Sequence, residues 1–138
     1  HLMSAHDNIQ TTKGVYAAFK RGDRAAMLAV FAENIKLVSE PGAGEIPWAG
    51  VYEGRAGFET QQDRLAEHVE VSGLEELDFL VSESQVAVVL RVEMTLKKNG
   101  QKVSFPRYVQ LWTFDESGKV ASVCEVYDPT ELLAAWSV

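Results

Sequence analysis

Two short stretches in the last third of the chain carry residues that can do acid–base chemistry. Tyr108, Gln110, Trp112 and Phe114 alternate with Val109, Leu111 and Thr113. An extended chain therefore sets a phenol, an amide, an indole and a phenyl ring on one face. Val123, Glu125 and Tyr127 alternate in the same way. Two strands presenting these rows to one another would make an aromatic surface holding a few polar groups, the usual composition of a small-molecule site. Aromatic residues at a period of two also serve as plain core, and it is Gln110 and Glu125 that point beyond that. A carboxylate removed from water without a partner is costly. If Glu125 faces inward, it has to meet Gln110, Tyr108 or a ligand.

Other chemistries find few residues to work with. Three His and one Cys in 138 residues do not supply a Cys/His zinc cage. His6 and His68 fall near helix ends, where exposed surface is expected, and neither has a metal-ligand companion at useful spacing. Cys124 alternates away from Glu125 and reads as a buried structural thiol. There is no glycine-rich phosphate loop, so no metal and no cofactor is expected. Thirteen Lys and Arg against twenty Asp and Glu leave a net charge of −7. That excess argues against a nucleic-acid footprint and against a polybasic membrane surface. No apolar run approaches the ~20 residues of a membrane span. A single cysteine makes no internal disulfide, and a reducing, cytoplasmic setting is the simple expectation.

The elements that must position these residues can be read in order. His1-Leu2 ahead of Met3 reads as a vector remnant before the start, which leaves one domain over residues 4–138. Ser4 or Asp7 can cap a first helix carrying Ile9, Val15 and Phe19. Gly22 stops it and Asp23 caps a second helix near Arg24–Ala32, with Met27, Leu28 and Phe31 on one face. Leu37-Val38 form a short strand, followed by a Pro/Gly loop over residues 41–47. A third helix is expected from Arg55 to His68, with Phe58, Gln62, Leu65 and Ala66 on one stripe. Val86, Val88, Leu90, Val92, Met94 and Leu96 alternate with Ala87, Val89, Arg91, Glu93, Thr95 and Lys97, a strand with one apolar face. Asn99-Gly100 signals a two-residue hairpin. Strands over Val103–Phe114 and Lys119–Tyr127 flank a turn at residues 115–118, and a short helix over Thr130–Trp136 ends the chain. Helices first and an antiparallel meander afterwards make an α+β domain.

Several stretches fall in an order that resembles the nuclear-transport-factor-2-like fold, home of the ketosteroid isomerases and the SnoaL-like polyketide cyclases. They are Gly22-Asp23 with Met27–Asn34, then Glu40-Pro41, then Gly50–Arg55, then Arg91–Met94, Asn99-Gly100-Gln101 and Phe114–Val120. The resemblance spans almost the whole chain. It implies a cone-shaped α+β barrel in which three N-terminal helices pack on a strongly curved, mostly antiparallel sheet. It also implies an apolar pocket at the open end and a homodimer through the outer sheet face. Tyr16, Phe19, Trp48, Phe58, Tyr108, Trp112, Val123 and Tyr127 are the implied pocket residues, with Trp48 as a lid or an interface residue.

Catalytic roles are carried over residue by residue. Glu40, before Pro41 at the end of the first strand, resembles the isomerases' base. The isomerases' enolate-binding pair departs: their helix tyrosine falls on Val15, with Tyr16 about 100° further round the helix, and their acid falls on Gln110. Phe31 stands where they have a supporting tyrosine. Glu125-Val126-Tyr127-Asp128 and Arg91-Val92-Glu93 are similar to segments of the limonene-epoxide-hydrolase branch, but alternation turns Arg91 and Glu93 outward. The resulting expectation is a cofactor-free acid–base enzyme of isomerase, cyclase, dehydratase or hydrolase type. It would act on a small, hydrophobic, oxygenated metabolite, with Glu40 or Glu125 as base or acid and Gln110 orienting the substrate. The alternatives are a non-catalytic ligand-binding or dimerisation module, and an epoxide hydrolase.

Overall fold

A computed structural model describes residues 4–138; the expected vector remnant and Met3 lie outside them. Helix α1 spans Ala5–Lys20. Both expected caps act at once: the Ser4 hydroxyl accepts from the Asp7 amide at 3.1 Å, and the Asp7 carboxylate accepts from the Ser4 amide at 3.2 Å. Gly22, at φ +72°, ends the helix in a conformation that suits glycine. Asp23 then caps α2, Arg24–Leu28, by accepting from the Ala26 amide at 3.0 Å.

From sequence α2 runs to Ala32, but the chain leaves the helix after Leu28. Phe31 opens strand β1, Phe31–Ser39, and pairs with Val120, whose amide donates to the Val30 carbonyl at 2.9 Å. A sheet partner almost ninety residues away overrides the local helix pattern. The same pairing makes β1 far longer than the Leu37-Val38 step suggests. A strand missed from sequence, β2, Gly50–Glu53, pairs antiparallel with β1 and leads into α3, Gly54–His68.

The remaining strands are β3 Val69–Val81, β4 Gln85–Leu96, β5 Lys102–Phe114 and β6 Val120–Val126, closed off by α4, Thr130–Trp136. They form one six-stranded sheet in the order β2-β1-β6-β5-β4-β3. Every pairing is antiparallel except β1 with β6. This is the expected α+β architecture of helices on a mostly antiparallel sheet. The sheet stays open, with β2 and β3 as edges, so it is a curved cone wall rather than a closed barrel. The Asn99-Gly100 turn is a hairpin of four residues rather than two, with Leu96 and Gln101 paired at 2.8 Å.

Bulges decide which side chains reach the concave face. Leu90 pairs with Tyr108 and Val92 with Phe105, so β5 holds one extra residue at Pro106-Arg107. A proline fits there because a bulge frees it from donating to the ladder. The extra residue shifts the alternation, and Val103 and Phe105 face inward together with Tyr108 and Trp112. A second bulge in β6, between the pairs Thr113–Ser122 and Phe114–Val120, puts Val120, Val123 and Glu125 on the inner face.

Helix α4 closes one end of the cone, with Leu132 fully buried. Asn99 ties it down: its amide donates to the Ala135 carbonyl at 2.9 Å, while its oxygen accepts from the Gln101 amide at 3.0 Å. Asn99→Ala removes both bonds, and urea unfolding should show a loss of about 1–2 kcal/mol.

Candidate functional site

Helices α1 and α3 and the concave face of the sheet enclose a pocket of about 140 Å³. On its sheet side two strands, β5 and β6, join with α1 in one connected set of hydrogen bonds. Gln110 on β5 stands directly opposite Glu125 on β6. Its amide nitrogen donates to Glu125 Oε2 at 2.9 Å. Tyr108, two residues earlier on the same face, donates its hydroxyl to the same oxygen. From α1, the Tyr16 hydroxyl donates to Gln110 Oε1 at 2.7 Å and accepts from Trp112 Nε1 at 3.1 Å.

The direction of this chain is fixed by its first member. An indole can only donate, so Tyr16 must spend its proton on the Gln110 oxygen. That turns the Gln110 nitrogen toward Glu125. Two donors then converge on Oε2, which leaves Glu125 as the acceptor at the end of the line. Its other oxygen, Oε1, receives no protein donor among the described residues.

The surrounding phenols are held in their protonated form. Burial, reinforced by the Glu125 carboxylate, pushes the Tyr16 and Tyr108 hydroxyls well above the usual phenol range, against a smaller downward pull on Tyr16 from Trp112. Burial and the same carboxylate raise Tyr127 too. These three are hydrogen-bond donors at neutral pH and not bases. A phenol raised in the folded state favours folding while it stays protonated, and that contribution is lost as pH climbs through the folded value. Stability should therefore fall once pH passes about 10, where unfolded tyrosine ionises. Near-ultraviolet absorbance should show tyrosinate from Tyr16, Tyr108 and Tyr127 appearing together with unfolding rather than before it.

The structure brings most of the expected residues to one place. Tyr16, Phe19, Trp48, Phe58, Tyr108, Gln110, Trp112, Val123 and Glu125 all line the pocket. Tyr127 does not line it; it stacks behind Tyr108, ring centres 4.5 Å apart, and donates to the Pro41 carbonyl at 3.3 Å. Glu40 is also absent from the lining, and its side chain is exposed. The cause is the period of the strand: Leu37 and Ser39 turn inward at 6% and 1% exposure, which sends the next residue outward. Arg91 and Glu93 are exposed as their alternation requires, with Arg91 paired to Glu75 at 3.0 Å. An acid–Arg–acid set therefore does not form inside the cone.

Three smaller expectations need correction. Trp48 is not an exposed interface residue; it is buried in the pocket lining, and its ring packs near His68 and Trp136 at 6.1 and 5.7 Å. His68 is thus half-buried in an aromatic cluster rather than free on the surface. Cys124 is half-buried rather than fully buried. Gln61 was missed. Together with Gln62 it lines the pocket from α3. The tandem glutamines flanking a stripe that already held Gln62 were the available signal.

Among the described residues no group of three or more His, Cys, Asp or Glu is placed to hold a metal ion. No helix there is long and apolar enough to cross a membrane.

A family model described as SnoaL-like domain matches residues 12–123. Among solved structures, an NTF2-like protein from Burkholderia xenovorans is 31% identical, with 96% of this chain and 98% of that one covered and a TM-score of 0.86. An NTF2-like protein of unknown function from Burkholderia pseudomallei shares 23% identity over 99% of this chain and 100% of that one, with a TM-score of 0.87. Another from Burkholderia thailandensis shares 25% identity, covering 93% and 95%, with a TM-score of 0.82. No curated protein sequence matches the chain.

Proposed function

The chain belongs to the SnoaL-like domain family of the NTF2-like fold, and from that premise we propose that it is a cofactor-free acid–base enzyme whose proton acceptor is Glu125. The observation that carries this reading is the carboxylate itself. It sits in an aromatic pocket with Oε2 bound by two donors and Oε1 unclaimed. A carboxylate so oriented has one atom with which to take a proton from a guest, and the surrounding apolar wall keeps competing water away.

The guest is a small, largely apolar molecule carrying a carbonyl or hydroxyl group. Its acidic C–H would face Oε1, and Gln61 and Gln62 would donate to the oxygen on which charge develops, the role of an oxyanion hole. Isomerisation, cyclisation and dehydration all begin with that proton transfer. Water activation for epoxide opening is less well supported, because Arg91 and Glu93 lie outside the pocket. The same reading carries a homodimer through the outer sheet face, where Leu80 and Val126 are exposed at 56% and 57%. Light scattering should then give about twice the 15.3 kDa chain mass.

A generic apolar ketone tests the chemistry without knowledge of the natural substrate. In D2O the protein should accelerate exchange of the α-protons of 2-tetralone above the buffer rate, read by proton NMR. Binding of the ketone without any acceleration would favour the other class of function, a non-catalytic ligand-binding module.

A further inference from the structure

We infer that the pocket selects its ligand by charge: it takes a protonated amine or related organic cation at Glu125 in preference to a neutral analogue, and it refuses carboxylates. The inference rests on the reading of the pocket as a ligand site and adds a basic nitrogen to the oxygenated guest proposed above. Three observations support it.

First, among the described residues Glu125 is the one charged residue in the lining, and no Lys, Arg or His of theirs reaches the pocket. Its hydrogen bonds come from a phenol and an amide, which are neutral, so the negative charge is solvated but not cancelled. Inside a poorly solvated space that charge acts at greater strength than in water.

Second, the cations of the adjoining groove bring no net compensation. Lys20 and Arg24 line an open groove of about 520 Å³ that adjoins the pocket and shares Phe19, Met27, Gln62 and Leu65 with it. Lys20 is already paired with Glu76 at 2.9 Å, and Arg24 with Asp63 at 2.7 Å. A ligand passing through this groove meets cations already matched by carboxylates, and then a carboxylate whose only donors are neutral.

Third, Tyr16, Tyr108 and Trp112 stand beside Glu125 in its hydrogen-bond set, and aromatic rings attract organic cations. An amine bound there supplies Oε1 with the donor it lacks. Transfer of a proton from such a cation to Oε1, from N–H of an ammonium or from the carbon next to an iminium, leaves a neutral carboxylic acid and a neutral amine or enamine. No charge is then stranded in the apolar space.

Three probes of one shape separate the outcomes: 2-phenylethylamine, 2-phenylethanol and 3-phenylpropanoate, titrated calorimetrically at neutral pH. The amine should bind at least ~10-fold more tightly than the alcohol, since a charge-assisted bond is roughly twice as strong as a neutral one. The carboxylate should not bind. In Glu125→Gln the gap between amine and alcohol should shrink to about 2-fold or less while the alcohol still binds. Equal binding of amine and alcohol, or binding of the carboxylate, would overturn charge selection and leave the pocket a neutral ligand site. Binding of none of the three would overturn the ligand site as well. The wild-type comparison decides the matter even if the variant does not fold.

Discussion

Glu125→Gln should slow the exchange of 2-tetralone α-protons by about 100-fold or more, to the buffer rate, while leaving the fold intact. A glutamine matches the glutamate in size and can still accept from Tyr108 and from Gln110 through its oxygen. The hydrogen-bonded frame that holds the side chain therefore survives. What disappears is the one atom in the pocket able to accept a proton, because Tyr16 and Tyr108 stay protonated. Glu40→Gln is the matched control. Glu40 is exposed and outside the pocket lining, so its variant should exchange protons at the wild-type rate. Parallel exchange rates by NMR check both variants, and a loss in Glu40→Gln equal to that in Glu125→Gln would return the base to the end of β1.

Phe58→Ala should be the most destabilising single change near the pocket, costing about 3–5 kcal/mol in urea unfolding. Phe58 is the single buried residue of α3 and is 1% exposed. Its ring meets Phe31 of β1 edge to face, with centres 5.1 Å apart. The rest of α3 is polar or only partly covered, so this ring is the largest apolar anchor of the helix on the sheet. Truncation loses the ring's transfer energy and opens a hole that its neighbours cannot close. Against the ~5–15 kcal/mol of a typical domain this is a large share. A cost below 1 kcal/mol would mean that α3 is anchored elsewhere.

Much of this site could be read from one row of letters. The alternation from Tyr108 to Phe114 and from Val123 to Tyr127 placed a phenol, an amide and a carboxylate on one face, and they meet there in the structure. The prior that a buried Glu125 must find Gln110 or Tyr108 rests on the cost of desolvating a charge, and both partners are present. Helix ends were legible for the same kind of reason: Ser4, Gly22 and Asp23 leave local signatures. What stayed hidden depends on distant parts of the chain. Strand β1 begins at Phe31 because Val120 pairs there. Strand β3 carries two bulges and a run of acids, so its alternation with the core is broken. The inward turn of Val103 and Phe105 depends on one extra residue at Pro106-Arg107. The resemblance to the isomerases' motif puts Glu40 at the pocket, but Leu37 and Ser39 turn inward in a strand longer than the sequence suggests, and Glu40 faces out. Tyr16 illustrates the converse: alignment set the tyrosine position at Val15, yet the Tyr16 hydroxyl is the one that reaches Gln110.

The most direct measurement is a crystal structure of the protein with 2-tetralone bound. The expected result is the ketone inside the cone, an α-carbon about 3–3.5 Å from Glu125 Oε1 and the carbonyl turned toward Gln61 and Gln62. A ketone bound elsewhere, or one in the pocket with its α-carbons turned away from Glu125, would contradict the assignment of Glu125 as the proton acceptor.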